Sequence, residues 1–366
     1  MDNLAESLGS TSLNDPPDLE QLLFKPQADS GFPQTALDNI PRYLFRVVSP
    51  LSAGETNEKW VFSEAAYCDD GSSKEDIFDY LDNEKRTTIA RTLNLHFRWW
   101  PKRELEDNFV SWTSSLLDAI QFIYYRHLSP RDKSELDDIN LFIIDTTLFP
   151  RGTFLRDLDL IDTFCDYDTH EPTKNLEDVR CMRGDNYFGE YLSQGELKIE
   201  GKCEIISAES LFQRDRLRRV QPHFLEFHEL PTRNGKPIWA IEVIRLREAI
   251  WTYADAPVSS EDMIDRLDAV NEIIQDLKPG WRFPLAVYFT ALIGAESTME
   301  DKRTGIDNVF LRHFRSVFST AVLLKNLDDL PFDFNVVAPE SMPEMTQVEQ
   351  LLREIYKFYL LEQALG

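Results

Sequence analysis

Three short segments carry residue types that can do chemistry together. In Tyr43 to Val48 (YLFRVV), Arg46 interrupts a β-branched and aromatic run. Side chains alternate along a strand, so Arg46 shares a face with Leu44 and Val48. A guanidinium held on an apolar face needs a partner. That partner is either a structural acid or a phosphate or ribose gripped by several hydrogen bonds. In Phe109 to Ala119 (FVSWTSSLLDA), four hydroxyl residues crowd the passage from strand to helix. Ser111 and Thr113 then stand beside the positive end of a helix, where hydroxyls can orient an anion or a carboxylate. N-capping explains one hydroxyl of this set and does not require four. In Gly189 to Glu196 (GEYLSQGE), Glu190 sits among Tyr187, Phe188, Tyr191 and Leu192. A carboxylate in apolar company is costly without a partner or a role. Glu196, beyond Gln194 and Gly195, is the competing acid.

The elements that position these residues are legible as patterns. YLFRVV reads as a strand and LFIID (Leu141 to Asp145) as a buried one. Leu116, Leu117, Ile120, Phe122, Ile123 and Tyr124 recur at helical spacing, with Ser114 or Ser115 as N-cap. Leu197 to Ile206 is expected to be extended with Gly201 as a turn or bulge, and Trp239 to Leu246 to be a further strand. From Ser259 the texture turns helical. Ser259 and Asp262 make a capping-box-like start, and the last helix is expected near Thr346. Residues 1–38, rich in Ser, Asp, Pro and Gln, read as a disordered tail.

Composition narrows the function. Acids outnumber bases 64 to 39, a net charge of −25. A protein that grips a phosphate backbone presents a basic stripe, and the longest here is the short RDRLRR of residues 214–219. Nucleic acid and an anionic membrane surface are therefore not expected partners. The four cysteines are scattered with no Cys-x-x-Cys pair, as for reduced thiols. No basic n-region followed by an apolar stretch opens the chain, and no apolar run is long enough to span a bilayer. A soluble protein of cytoplasm or nucleus, not secreted, is the expectation. The six histidines show no metal spacing, so no metal is expected. Asp157, Asp159 and Asp162 offer carboxylates for a divalent cation, but their alternation with Leu158, Leu160 and Ile161 favours an ordinary amphipathic segment. Trp99 and Trp100, beside His96 and Arg98, read as core packing or as a pocket wall.

A strand-borne arginine, a strand-to-helix Ser-x-Thr and a downstream glutamate together resemble the arginine–serine–glutamate type of ADP-ribosyltransferase. Phe45-Arg46, then Phe109-Val110-Ser111-Trp112-Thr113 with Ala119, then Glu190-Tyr191-Leu192 with Gly195, carry the resemblance over about residues 41–210. YLFRV, DNFVSWTSSLL and GEYLSQG also resemble an uncharacterised family of fungal proteins, more closely. The first resemblance implies an α+β fold: a split β-sheet domain over residues 39–235, followed by a mainly helical region at 236–366. It implies NAD as substrate, with Arg46, Ser111 and Thr113 at the cofactor and Ser111 and Glu190 as catalytic residues. The activity would be ADP-ribosyl transfer to a protein acceptor or NAD glycohydrolysis. Two departures matter. Trp112 and Thr113 replace the family's Thr and Ser. Phe188 stands where protein-modifying members carry Gln or Glu. Gln194-x-Glu196 offers an alternative register, and a catalytically inactive relative serving as a protein-interaction module is the alternative function.

Overall fold

The computed structural model describes residues 21–98, 107–168, 175–181, 187–252, 259–294, 309–319 and 342–365. Among the described residues nine strands form one sheet: β1 (Gln21–Leu22), β2 (Tyr43–Val48), β3 (Glu55–Thr56), β4 (Trp60–Phe62), β5 (Phe109–Thr113), β6 (Asn140–Asp145), β7 (Leu155–Arg156), β8 (Glu190–Lys198) and β9 (Cys203–Ser207). Seven of them follow the order β3-β4-β8-β5-β2-β6-β9 and curl into a half-barrel, with β1 and β7 added on β8. Their pairings are antiparallel. The architecture is mixed α+β, with a mostly helical C-terminal region.

Alternation sorts the side chains. Tyr43, Phe45 and Val47 of β2 and Leu141 and Ile143 of β6 enter one core with the helices. Leu44, Phe142, Ile144, Trp112 and Tyr191 enter a second on the opposite face. A third gathers Phe109 and Leu192 against Leu93 and Phe97 of the helix Asn83–Arg98. Burying both faces of β2 and β6 requires near-continuous apolar runs, as YLFRVV and LFII supply.

β5 runs into the helix Leu116–Leu128 across Ser114 and Ser115. Ser115 is the N-cap, its Oγ accepting from the Asp118 amide at 3.2 Å. Gly201, at φ +75°, turns β8 into β9. Ser259 caps the helix Ser260–Gln275 by accepting from the Asp262 amide at 3.1 Å.

Two expectations are corrected. Trp239 to Leu246 is not a strand but most of the helix Trp239–Arg247. Val243, Leu246 and Ile250 recur at helical intervals and are buried, so the packing period overrides the β-branched content. The expected tail of residues 1–38 is structured from Gln21 onward. Gln21–Leu22 pairs with β8, and Phe24 and Phe32 are buried beside Phe78. Residues 1–20 lie outside the described residues. The core runs across position 235/236. Phe45 and Ile143 of the sheet share one cluster with Phe289 of the helix Pro279–Ala291 and Leu351 of the helix Pro343–Leu365. That last helix begins three residues before Thr346. Among the described residues no helix is long and apolar enough to cross a membrane.

Candidate active site

β5 and β8 pair with Ser111 opposite Leu192 and Thr113 opposite Glu190. Paired residues of an antiparallel ladder share a face, so Ser111, Thr113 and Glu190 project to the same side. Ser111 Oγ donates to Glu190 Oε1 at 2.8 Å. The carboxylate is neither solvated nor sunk, with 20% of its side chain exposed.

Each of the four hydroxyls in SWTSS has a separate partner. Ser111 holds the Glu190 carboxylate. Thr113 Oγ1 donates to the Phe188 carbonyl at 2.7 Å and accepts from the Ser115 amide at 3.0 Å. Ser114 Oγ donates to the Gly189 carbonyl at 3.4 Å, and its amide donates there at 2.9 Å. Ser115, besides capping its helix, donates to Glu344 Oε1 at 2.7 Å. The cluster therefore pins residues 188–190 from the side. Thr113, expected at a cofactor, turns its hydroxyl to the protein and positions the approach to Glu190. Gly189 lies at φ +69°, and a Cβ there would stand 2.2 Å from Ser114 Oγ. Glycine alone accommodates both the backbone and the close approach.

Arg46 reaches the site by another route. β2 pairs with β5 through Phe45 and Thr113, which places Phe45 on the Ser111 face and Arg46 on the other. The two strands pair no further, and the guanidinium bridges the gap. Nη1 donates to the Ser111 carbonyl at 3.0 Å and Nε to Thr56 Oγ1 at 3.4 Å. Among the described residues Arg46 has no ion pair. Burial, and then the positive charge of Arg126, lowers its pKa from the usual arginine range to about 10. The structure thus joins Arg46, Ser111 and Glu190 in series, with Arg46 on the main chain of Ser111 and not on the Glu190 carboxylate.

Two residues absent from the sequence-level constellation complete the site. His96, in the last turn of Asn83–Arg98, places Nε2 2.7 Å from Ser111 Oγ. Its Nδ1 forms a short hydrogen bond to Asp107 Oδ2. Asp107 Oδ1 accepts from the Phe109 amide at 2.9 Å, tying the carboxylate to the start of β5. Both side chains are buried. Nothing in the spacing of His96, Asp107 and Ser111 announces this meeting, because a helix and a strand bring it about. Trp99 and Trp100, read as core packing or as a pocket wall, lie outside the described residues.

The competing register does not converge. Gln194 is buried, donating to Asp76 Oδ1 at 2.9 Å and accepting from the Ile77 amide at 3.3 Å. Glu196 is paired opposite Phe62 on β4, six residues from Glu190 and so about 20 Å along the strand. Asp159 of the acidic segment is paired with Arg156, and Asp157 is buried within the helix Asp157–Phe164. Among the described residues no cluster of His, Cys, Asp or Glu could hold a metal ion.

The C-terminal helices brace this site from behind. Arg247 donates to Glu344 Oε1 and Oε2 at 2.6 and 3.0 Å and to the Tyr187 carbonyl at 2.8 Å. Asp118, in the first turn of Leu116–Leu128, is buried, and its pKa is pushed up to about 8 by burial against the counteracting charge of Arg247. No curated protein and no solved structure matches the chain. Residues 39–211, the span holding Arg46, His96, Asp107, Ser111, Thr113 and Glu190, match the family model described as Domain of unknown function (DUF7587).

Proposed function

We propose that this domain is an NAD-consuming enzyme, an ADP-ribosyltransferase or NAD glycohydrolase that cleaves the nicotinamide glycosidic bond. The observation that carries the reading is the 2.8 Å hydrogen bond from Ser111 to Glu190, made on adjacent strands beside a guanidinium that pairs with no acid among the described residues. This is the arrangement a positively charged, oxocarbenium-like transition state requires. A fixed carboxylate lies where positive charge develops, and its orientation is set before the substrate arrives.

In this reading Glu190 accepts a hydrogen bond from the nicotinamide ribose and stabilises charge as the carbon–nitrogen bond breaks. Ser111 orients Glu190, and Arg46 holds the strand of Ser111 in register while offering its cationic edge to a ribose or phosphate oxygen. Thr113 and Gly189 set the backbone from which Glu190 projects. The acceptor is water or a protein side chain.

The test is nicotinamide release from NAD by the purified protein beside its Glu190→Gln variant. Removing one preorganised electrostatic element costs on the order of 100- to 1000-fold in rate, and that loss is expected here. Absence of release from the parent, with no NAD binding by calorimetry, would overturn the assignment.

A further inference from the structure

The basic run RDRLRR of residues 214–219 takes no part in the site around Glu190. Acids elsewhere engage its arginines. Arg216 donates to Asp276 Oδ2 at 2.7 Å, and Arg219 donates to Glu272 Oε1 at 2.7 Å and to Asp265 Oδ1 at 3.0 Å. Arg218 makes a short ion pair with Glu226. The run opens on a turn in which Arg214 and Asp215 are both left-handed, at φ +54° and +55°. Asp215 stands there on the edge of a cavity of about 560 Å³, within the size range of small-ligand sites. The cavity is remote from Glu190. Its wall includes Tyr124, nine residues beyond the N-cap Ser115 and so about 13 Å along the helix axis.

One wall is aromatic. Tyr124 and Phe212 have ring centroids 5.1 Å apart, Tyr124 and Phe227 4.9 Å, and Phe212 and Phe227 4.8 Å. Tyr124 is buried and its hydroxyl donates to the Leu225 carbonyl at 2.7 Å, while Phe212 and Phe227 are half-buried. The rim is acidic. Glu209, Asp215 and Glu226 line it against one arginine, Arg218. Glu226 is taken by Arg218 and lies 3.3 Å from His228 Nδ1. Glu209 and Asp215 make no side-chain hydrogen bond or ion pair among the described residues. Two carboxylates therefore face the cavity with no cation of the protein assigned to them, although three arginines follow Asp215 within four residues.

We propose that this cavity binds a guanidinium group, stacked on Phe212 and Phe227, with its charge met by Glu209 and Asp215. A guanidinium is flat and weakly hydrated, lies on ring faces, and presents N–H donors at its edge to carboxylates. An ammonium is a compact, strongly hydrated charge and gains less from an aromatic wall. The site goes beyond the NAD reading and shares no residue with it.

The experiment is calorimetric titration of the full chain with n-propylguanidine, without NAD. Saturable binding is expected. The double variant Glu209→Gln with Asp215→Asn is expected to weaken it by on the order of 10-fold. Asparagine tolerates the left-handed region, so the turn is kept. A second double variant, Glu75→Gln with Asp79→Asn, removes the same charge from exposed acids elsewhere and should bind as the parent does. n-Propylurea, the uncharged isostere, and n-butylamine are each expected to bind about 10-fold more weakly than n-propylguanidine. A glycine–serine peptide carrying one arginine separates the two sources of the group. Tighter binding than n-propylguanidine assigns the site to an arginine of a protein partner, and equal binding assigns it to a free small molecule. Absence of saturable binding of both probes at millimolar concentration would overturn the proposal. So would equal binding of n-propylurea or n-butylamine, or equal weakening in the two double variants.

Discussion

Arg247 and Glu344, 97 residues apart, form a buried two-pronged ion pair at 2.6 and 3.0 Å, directly against the segment that leads into Glu190. Arg247 also donates to the Tyr187 carbonyl, and Glu344 accepts from Ser115. One contact thus ties two C-terminal helices to both strand ends that carry the site. Removing one member of a buried pair leaves the other without compensation and costs about 3–5 kcal/mol. Glu344→Ala is therefore expected to lower the urea midpoint sharply. Arg247→Met with Glu344→Leu should recover part of that loss, because no charge is left stranded. Equilibrium unfolding of the three proteins checks this.

Gly189→Ala tests the backbone that aims Glu190. The new Cβ would meet Ser114 Oγ at 2.2 Å and Met342 Cε at 2.8 Å, at a φ of +69° that side chains rarely adopt. Held strain of this kind costs about 1–3 kcal/mol. The expected outcome is a lower melting temperature together with a fall in kcat for nicotinamide release, since the positive φ strains the backbone that carries Glu190 even if Ser114 and Met342 turn aside. A Gly201→Ala control has open space around it but a positive φ of +75°. It should lose stability without losing kcat.

Much of this arrangement was legible in the sequence, and what was missed has a physical pattern. Arg46 and Ser111 sit on strands whose residue types announce them, whereas the glycine-broken segment of Glu190 read equally as a strand or a short helix, and pairing of β5 with β8 brought Glu190 to Ser111. Arg46 joins that set from the opposite face of the sheet. Alternation within β2 correctly grouped it with Leu44, but its relation to Ser111 depends on the β2–β5 register, which no single segment encodes. His96 and Asp107 were invisible as a pair because their bond is tertiary. WAIEVIRLR looked like a strand because its β-branched residues fit one. Its burial every three or four residues is imposed by the helix Leu116–Leu128 and the core it packs into.

Asp118 makes stability depend on pH in a stated direction. Its folded-state pKa is raised from 3.8 to about 8, chiefly by burial, so between those values the folded chain keeps a proton that the unfolded chain has lost. The unfolded state binds fewer protons there, and stability falls as pH rises through this window. Asp118 Oδ1 has no hydrogen-bond partner among the described residues, and the Arg247 charge and the Thr113 hydroxyl offset only part of the effect of burial. Asp118→Asn keeps the shape and removes the titration. It is expected to melt higher than the parent at pH 8, with the difference shrinking toward pH 4. Melting curves across that range decide the point, and parallel pH profiles for both proteins would refute it.

Arg46 allows the substrate role and the structural role to be measured apart. Its Nη1 supports the Ser111 carbonyl where β2 and β5 stop pairing, and its Nε reaches Thr56. Lysine carries the charge but has no planar fork, so Arg46→Lys can reproduce one of these contacts and not both. If the guanidinium also binds a ribose or phosphate oxygen, losing a charge-assisted hydrogen bond costs about 1.5–3 kcal/mol, roughly a 10- to 100-fold weaker affinity for NAD. Calorimetric titration of Arg46→Lys with NAD is expected to show that weakening. A Thr56→Val variant, which removes the hydroxyl that accepts from Nε and leaves the guanidinium, should bind NAD within a few-fold of the parent. Equal weakening in both variants would mean that Arg46 acts on the ligand only by holding the strand, and its role would then be that of Thr113: setting the backbone from which the reacting carboxylate is presented.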